Sequence, residues 1–179
     1  MQELAQNWLV LSLTNSPKML GVDAFLGEIP IFLFSLIGGV VADRMDRRHL
    51  LLISQVVQLL SAATLATLIA TKHITVPVIF ISSFVVGTAQ AFGGPAYQAL
   101  IPSLVSKEDM PNAIALNSIQ FNLARIIGPV IGGLAMKYIG ASWCFGVNAL
   151  SFLAVIYTLL RLKVDFKPPR TGHSMLQSM

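Results

Sequence analysis

The sequence predicts an all-α, polytopic membrane helix bundle, and three observations lead there. Hydrophobic residues fill 55% of the 179 positions and charged residues only 11%, against about 25% charged in an ordinary soluble domain. The apolar residues fall in blocks of about 20, enough to cross a hydrocarbon core as a helix and more than one soluble core can bury. The basic residues lie between those blocks, where a membrane protein carries them, so the pI near 9.5 does not signal nucleic acid. A soluble enzyme, a nucleic-acid-binding domain and a disordered chain are all disfavoured. The single cysteine, Cys144, forms no internal disulfide, and three scattered histidines make a poor metal site.

A window of about 19 residues finds one partial span and five full ones. Residues 1–14 are helical in pattern, but at about 1.5 Å per residue they reach about 20 Å, short of the roughly 30 Å core. They lack the basic n-region and small-residue cleavage site of a signal peptide. They read as the later part of a first span that begins upstream. Asn15-Ser16-Pro17 is a turn signal. The full spans are 19–42, 50–70, 76–100, 112–136 and 143–160, and their short connections make successive helices antiparallel. The blocks are too long, and too little alternating, for barrel strands. Residues 1–162 are therefore expected to form a six-helix unit. The polar stretch 163–179, with Pro168-Pro169, is expected to start a cytoplasmic linker.

Orientation follows from lysine and arginine. One side collects Arg44, Arg47, Arg48, Lys107, Arg161, Lys163, Lys167 and Arg170; the other has only Lys18, Lys72 and Lys137. The positive-inside rule then places loops 43–49 and 101–110 and the tail 163–179 in the cytoplasm of a multi-pass inner-membrane protein. The motif Ile37-Gly38-Gly39, three apolar residues and Asp43 returns 94 positions later as Ile131-Gly132-Gly133, three apolar residues and Lys137. The two copies run in opposite directions through the membrane, the mark of a 3+3 inverted repeat. Small-residue pairs wherever membrane helices pack closely are the alternative.

Polar residues inside the spans are candidates for function. Arg125 lies near mid-span and costs roughly 2.5–3.5 kcal/mol if lipid-exposed, so it is expected to face a cavity or a partner. Ser118, Asn122 and Arg125 share one helix face and read as a cavity wall or as an interhelical tether. Glu28 is the carboxylate expected to pair with Arg125 or bind a proton, a protonated packing residue being the alternative. Gln2, Glu3, Gln6 and Asn7 form a polar face of the partial first span, with Glu3 a second titratable candidate. Gln90 and Tyr97 are the polar residues of the fourth span, and Asp23, nearer the outer end, is expected to be wetted. Ser54, Gln55, Gln58 and Ser61 read as interhelical hydrogen-bonding groups. Trp143 and Cys144 are placed at the outer interface.

Two motifs carry more information. In Gly39-Val-Val-Ala-Asp43-Arg44-Met-Asp-Arg47-Arg48 the glycine is expected to admit another helix backbone. The carboxylate, unfavourable at a helix C-terminus by itself, needs a cation or another helix's N-terminus. In Gly128-Pro129-Val-Ile-Gly132-Gly133, Pro129 deprives the Arg125 carbonyl of its helical partner, and Gly128 and Gly132 form a small-x-x-x-small face.

On these residues the chain resembles the major facilitator superfamily. Gly39, Asp43, Arg44, Arg47 and Arg48 match its G-x-x-x-D-R-x-G-R-R signature, with Asp46 where the pattern prefers glycine. Gly128, Pro129, Gly132 and Gly133 resemble the G-P-x-x-G-G antiporter signature of its exporters. Residues 6–162 are similar to the bacterial exporter group of enterobactin-exporter and macrolide-efflux type, through Ala5-Gln6-Asn7-Trp8-Leu9-Val10, the stretch 91–100 and the stretch 112–117. The resemblance implies that Asp43 and its arginines latch onto a second six-helix half and that the helix-five motif biases the cycle toward export. It also implies alternating-access export of a small amphipathic drug or siderophore, by proton antiport. A facilitator or a non-transporting scaffold on the same fold is the rival. The expected partners are the lipid bilayer, a small-molecule substrate and a C-terminal half of the same protein, with no nucleic acid. No cofactor or metal is expected. No G-x-x-x-x-G-K-[ST] motif occurs, which disfavours an ATP-driven pump in this segment, and no nucleophile–base pair suggests an enzyme.

Overall fold

A computed structural model describes residues 2–162, with the backbone alone at Asp43 and Arg44. The expected linker at 163–179 therefore lies outside the described residues. Six α-helices follow one another: α1 (Gln2–Thr14), α2 (Pro17–Arg44), α3 (Arg47–Ala70), α4 (Val76–Leu100), α5 (Met110–Ile139) and α6 (Ala141–Arg161), with one 3-10 turn at Ile101–Ser103. Among the described residues there is no strand. Helices α2 to α6 are each long and apolar enough to cross a membrane. This is the membrane bundle that the hydropathy blocks predict.

The helix boundaries have local causes. Asn15 takes a left-handed turn (φ 48°), which asparagine tolerates, and Pro17 opens α2 in the first turn, where its missing N–H costs nothing. Gly140, at φ 83°, is by itself the connection between α5 and α6. Few other residues accept that backbone. The turn between α2 and α3 is shorter than the span pattern suggests, because α2 runs through Arg44 and α3 starts at Arg47. Met45 (φ −99°) and Asp46 (φ −62°) are both extended, so the turn does not require glycine. Asp46 instead caps α3, its carboxylate accepting from the Arg48 N–H at 2.9 Å. Asp46→Ala is expected to cost about 1 kcal/mol, and Asp46→Gly only a few tenths, measured by unfolding in detergent. Equal losses in the two variants would show that the cap contributes nothing.

Packing follows the inverted repeat. Helix α4 lies between α2 and α3, and α1 likewise touches α5 and α6, while α3 packs along α6. The α2–α4 seam is a contact of backbones. A Cβ built on Gly87 would stand 2.1 Å from the Gly27 carbonyl oxygen, and one on Gly38 would stand 2.2 Å from that of Ala91. Glycine thus lets two parallel helices close to backbone distance, as membrane packing favours. Between α3 and α4, Ser54 Oγ donates to the Ala89 carbonyl at 2.8 Å and Ser61 bonds Ser82 at 2.5 Å. By contrast α5 is nearly all exposed, with only Gly132 buried.

The apolar core is split. One cluster joins Ala5, Leu9 and Val10 to Leu65, Ile79, Cys144 and Phe145 near the α3–α4 loop. Cys144 is buried in that core, near the start of α6. The second cluster joins Ala42, Leu50, Leu51, Ala96, Leu100 and Leu159 at the end bearing the α2–α3 turn. Polar side chains occupy the level between the two clusters.

Candidate functional site

That polar level encloses a cavity of about 430 Å³. Helix α1 contributes Gln2, Glu3, Gln6 and Asn7 to its wall; α2 contributes Asp23, Gly27 and Glu28; α3 contributes Gln58. Helix α4 adds Ser83, Gly87 and Gln90, and α6 adds Asn148 and Phe152. Glu3 and Glu28 are exposed to it. The wall therefore holds three carboxyl groups and no lysine or arginine.

Its best-ordered part is a knot of three helices. Asp23 is 4% exposed and Ser83 is 7% exposed. Ser83 Oγ donates to Asp23 Oδ1 at 2.5 Å, and Gln6 Nε2 donates both to Asp23 Oδ2 at 2.8 Å and to Ser83 Oγ at 2.7 Å. Ser83 Oγ also lies 3.0 Å from the Ile79 carbonyl. Asp23, expected to be wetted, is therefore buried. Helix α4 covers it, because Ser83 and Gly87 are small enough for α2 to close over the carboxylate. Deeper in the wall, Gln90 Nε2 donates to Gln58 Oε1 at 3.5 Å, and Gln58 Nε2 reaches Ser54 Oγ at 3.1 Å. Asn148 on α6 bonds Gln2 on α1.

The residues singled out in the sequence divide into groups. Glu28 and Gln90 share the cavity. Tyr97 does not line it: its hydroxyl donates to Asn117 Oδ1 at 2.8 Å, and its ring meets Phe121 edge-on at 6.2 Å, tying α4 to α5. Asn122 turns back to the Ser118 carbonyl of its own helix at 2.8 Å. Arg125 is exposed on α5. The only contact within 4 Å between a basic and an acidic side chain among the described residues is His49 Nδ1 to Asp46 Oδ2 at 3.3 Å, so Glu28 and Arg125 are not brought together. Ser83 and Asn148 are wall residues that sequence reasoning passed over, and the burial of Asp23 was missed. The available signal was a carboxylate six residues inside an apolar helix, since such groups are rare and costly in a membrane.

The two motifs are placed as follows. The close-packing glycine of α2 is Gly38; a Cβ on Gly39 would meet nothing within 4 Å. One position turns a helix by about 100°, so the two glycines face different neighbours. The side chains of Asp43 and Arg44 lie outside the described residues. Arg47 Nη1 donates to the Ala99 carbonyl at 2.9 Å, and Arg48 donates from Nε to Leu159 O at 2.6 Å and from Nη2 to Leu160 O at 2.8 Å. Both guanidiniums thus cap helix C-termini of this same bundle, where carbonyls lack partners and the dipole is negative. On α5, Gly128 and Gly133 would meet nothing within 4 Å, and Pro129 sits inside a continuous helix.

This chain has relatives in bacteria. It is 31% identical over 166 residues to the staphyloferrin A transporter of Staphylococcus aureus, covering 92% of this chain and 41% of that protein. It is 26% identical over 167 residues to the enterobactin exporter EntS of Shigella boydii and of Escherichia coli, covering 93% of this chain and 40% of those proteins. The chain therefore spans about two-fifths of the length of the curated relatives it matches. The six helices, the α2–α3 turn whose arginines cap α4 and α6, and the polar cavity between two apolar cores lie within residues 1–176, which match the profile of the transmembrane secretion effectors, and the chain belongs to that family of the major facilitator superfamily.

Proposed function

We propose that this chain is the N-terminal six-helix half of an alternating-access secondary transporter in the inner membrane, exporting a small amphipathic molecule in exchange for protons. The observation that supports it most is the polar, carboxylate-bearing cavity in the middle of a bundle whose outer surface is apolar. Such groups are retained inside membrane proteins mainly along substrate and ion pathways. A second half closes the open side of this cavity, and the exposed α5 face with Asn122 and Arg125 turns toward that half. Loops 43–49 and 101–110 and the tail 163–179 are cytoplasmic in this reading, and Asp43 with Arg44 latches the two halves. Relatives named for staphyloferrin A and enterobactin make a siderophore the first substrate to test.

The test uses the full-length protein in liposomes with an imposed pH gradient. Expected is concentrative siderophore movement that collapses when an uncoupler dissipates the gradient. Movement down its own gradient, indifferent to the uncoupler, would replace antiport by facilitated diffusion. No movement of any siderophore or drug tested would leave a scaffold.

A further inference from the structure

The knot of Gln6, Asp23 and Ser83 has a hydrogen-bonding property that the other cavity carboxyls lack. Ser83 has one hydroxyl hydrogen and two acceptors within reach, Asp23 Oδ1 at 2.5 Å and the Ile79 carbonyl at 3.0 Å. With Asp23 ionised, the hydroxyl donates to the carboxylate, and Gln6 supplies the second donor. With Asp23 protonated at Oδ1, the acid O–H donates to Ser83 Oγ, and the serine hydroxyl rotates to the Ile79 carbonyl. The Gln6 amide keeps both of its bonds, to Asp23 Oδ2 and Ser83 Oγ. Each form is then fully hydrogen-bonded, which is what a buried polar group requires. One hydroxyl rotation accompanies the forming or breaking of one O–H bond on the carboxylate, with the proton coming from or going to water in the cavity.

We propose that Asp23 is the carboxyl of this half that takes up and releases the exchanged proton, with Ser83 as its rotor and Gln6 as the link to α1; this rests on the antiport reading above. The charges facing the knot are few. Glu3 on α1 and Glu28 on α2 line the same cavity, the wall positions on α3, α4 and α6 are uncharged, and Arg125 on α5 is not in the wall. Lys18 on α2 and Lys72 in the α3–α4 loop are exposed outside it. Ionisation of Asp23 thus places a charge in the knot with no countercharge in the wall. The bond from Gln6 becomes charge-assisted in that state, and such bonds are roughly twice as strong as neutral ones. Protonation therefore loosens α1, which carries Glu3 into the cavity, from α4 and from α2, which carries Glu28. This gives proton binding a mechanical effect on the cavity wall.

The experiment is an infrared pH titration of the full-length protein in liposomes, with gradient-driven transport measured on the same preparations. Asn is nearly isosteric with the protonated acid, donating to Ser83 and accepting from Gln6, so Asp23→Asn is expected to fold. It should erase a carboxylic-acid carbonyl band seen in the wild type and lower gradient-driven transport by about tenfold or more, a barrier change of about 1.4 kcal/mol. Ser83→Ala, which keeps the carboxyl and removes the rotor, should move the midpoint of that band by about half a pH unit or more. An acid band unchanged in Asp23→Asn, or a midpoint unmoved in Ser83→Ala, overturns the proposal. Gradient-driven transport persisting in Asp23→Asn also overturns it while leaving antiport intact. Uncoupler-insensitive transport in the wild type sinks the antiport reading instead, and the infrared result still decides whether Asp23 holds a proton.

Discussion

Gly87→Leu yields little or no folded protein in detergent, measured as the monodisperse fraction on size exclusion and as the unfolding temperature of what remains. At this crossing the obstacle is the Gly27 carbonyl oxygen, 2.1 Å from where even a Cβ would stand. Backbone cannot swing aside as a lysine tip can, so α2 and α4 must move apart along the seam. Overpacking in a rigid interior costs typically 1–3 kcal/mol per site, and a leucine wedged against backbone belongs at or above the top of that range. The separation would also undo the Gly38–Ala91 approach and uncover Asp23, so the loss is cooperative. Gly87→Ala should show a smaller loss in the same direction. Gly21→Ala is the control, because nothing lies within 4 Å of its Cβ position and alanine favours a helix over glycine by about 1 kcal/mol. Gly87→Leu folding with wild-type stability would mean that α2 and α4 do not meet backbone to backbone.

The second large effect is at Arg48. Its guanidinium satisfies two carbonyls of the last turn of α6, Leu159 at 2.6 Å and Leu160 at 2.8 Å. Hydrogen bonds to a charged group contribute about 1.5–3 kcal/mol each, but at the end of a helix water replaces part of that, so Arg48→Ala is expected to cost about 2 kcal/mol. The loss should be local first. Amide exchange in the last turn of α6 should accelerate by about tenfold or more, while α2, α4 and α5 keep wild-type protection. Arg48→Lys should recover only part of it, since an ammonium is a point charge and cannot span two carbonyls in a fixed plane. Unchanged exchange in α6 would mean that the two bonds do not hold its end. The same variant separates two roles of the motif: fraying of α6 is a property of this half alone, whereas a latch acts only against the other.

The element order was legible because bilayer thickness acts on every span in the same way. A helix that must stay apolar for about 20 residues announces itself whatever its neighbours are. The arginine cluster where α2 meets α3 was legible as a motif. Its targets were not. The acceptors of Arg47 and Arg48 lie 52 and 111–112 residues away and are backbone carbonyls, which carry no sequence signature. Asp23 fails for a related reason. Its depth along α2 can be counted, but its burial depends on Ser83, arriving from 60 positions away, and on Gly87 one turn further along α4. Gly38 and Gly39 show how coarse a motif is, since only the rotation of α2 decides which of two adjacent glycines meets α4. Arg125 marks the reverse situation. Cost arguments say that a cation at mid-span needs a partner, and on a helix as exposed as α5 that partner is expected in the proposed second half.

The glycine-sealed seam has a further consequence under load. Two rods in main-chain contact share their fate when pulled, because neither can slide without lifting the other's carbonyls out of register. A cantilever drawing this polypeptide out of a lipid sheet by one end should therefore extract the stretch from Pro17 to Leu100 in a single rupture, and α5 should come away early, at low force.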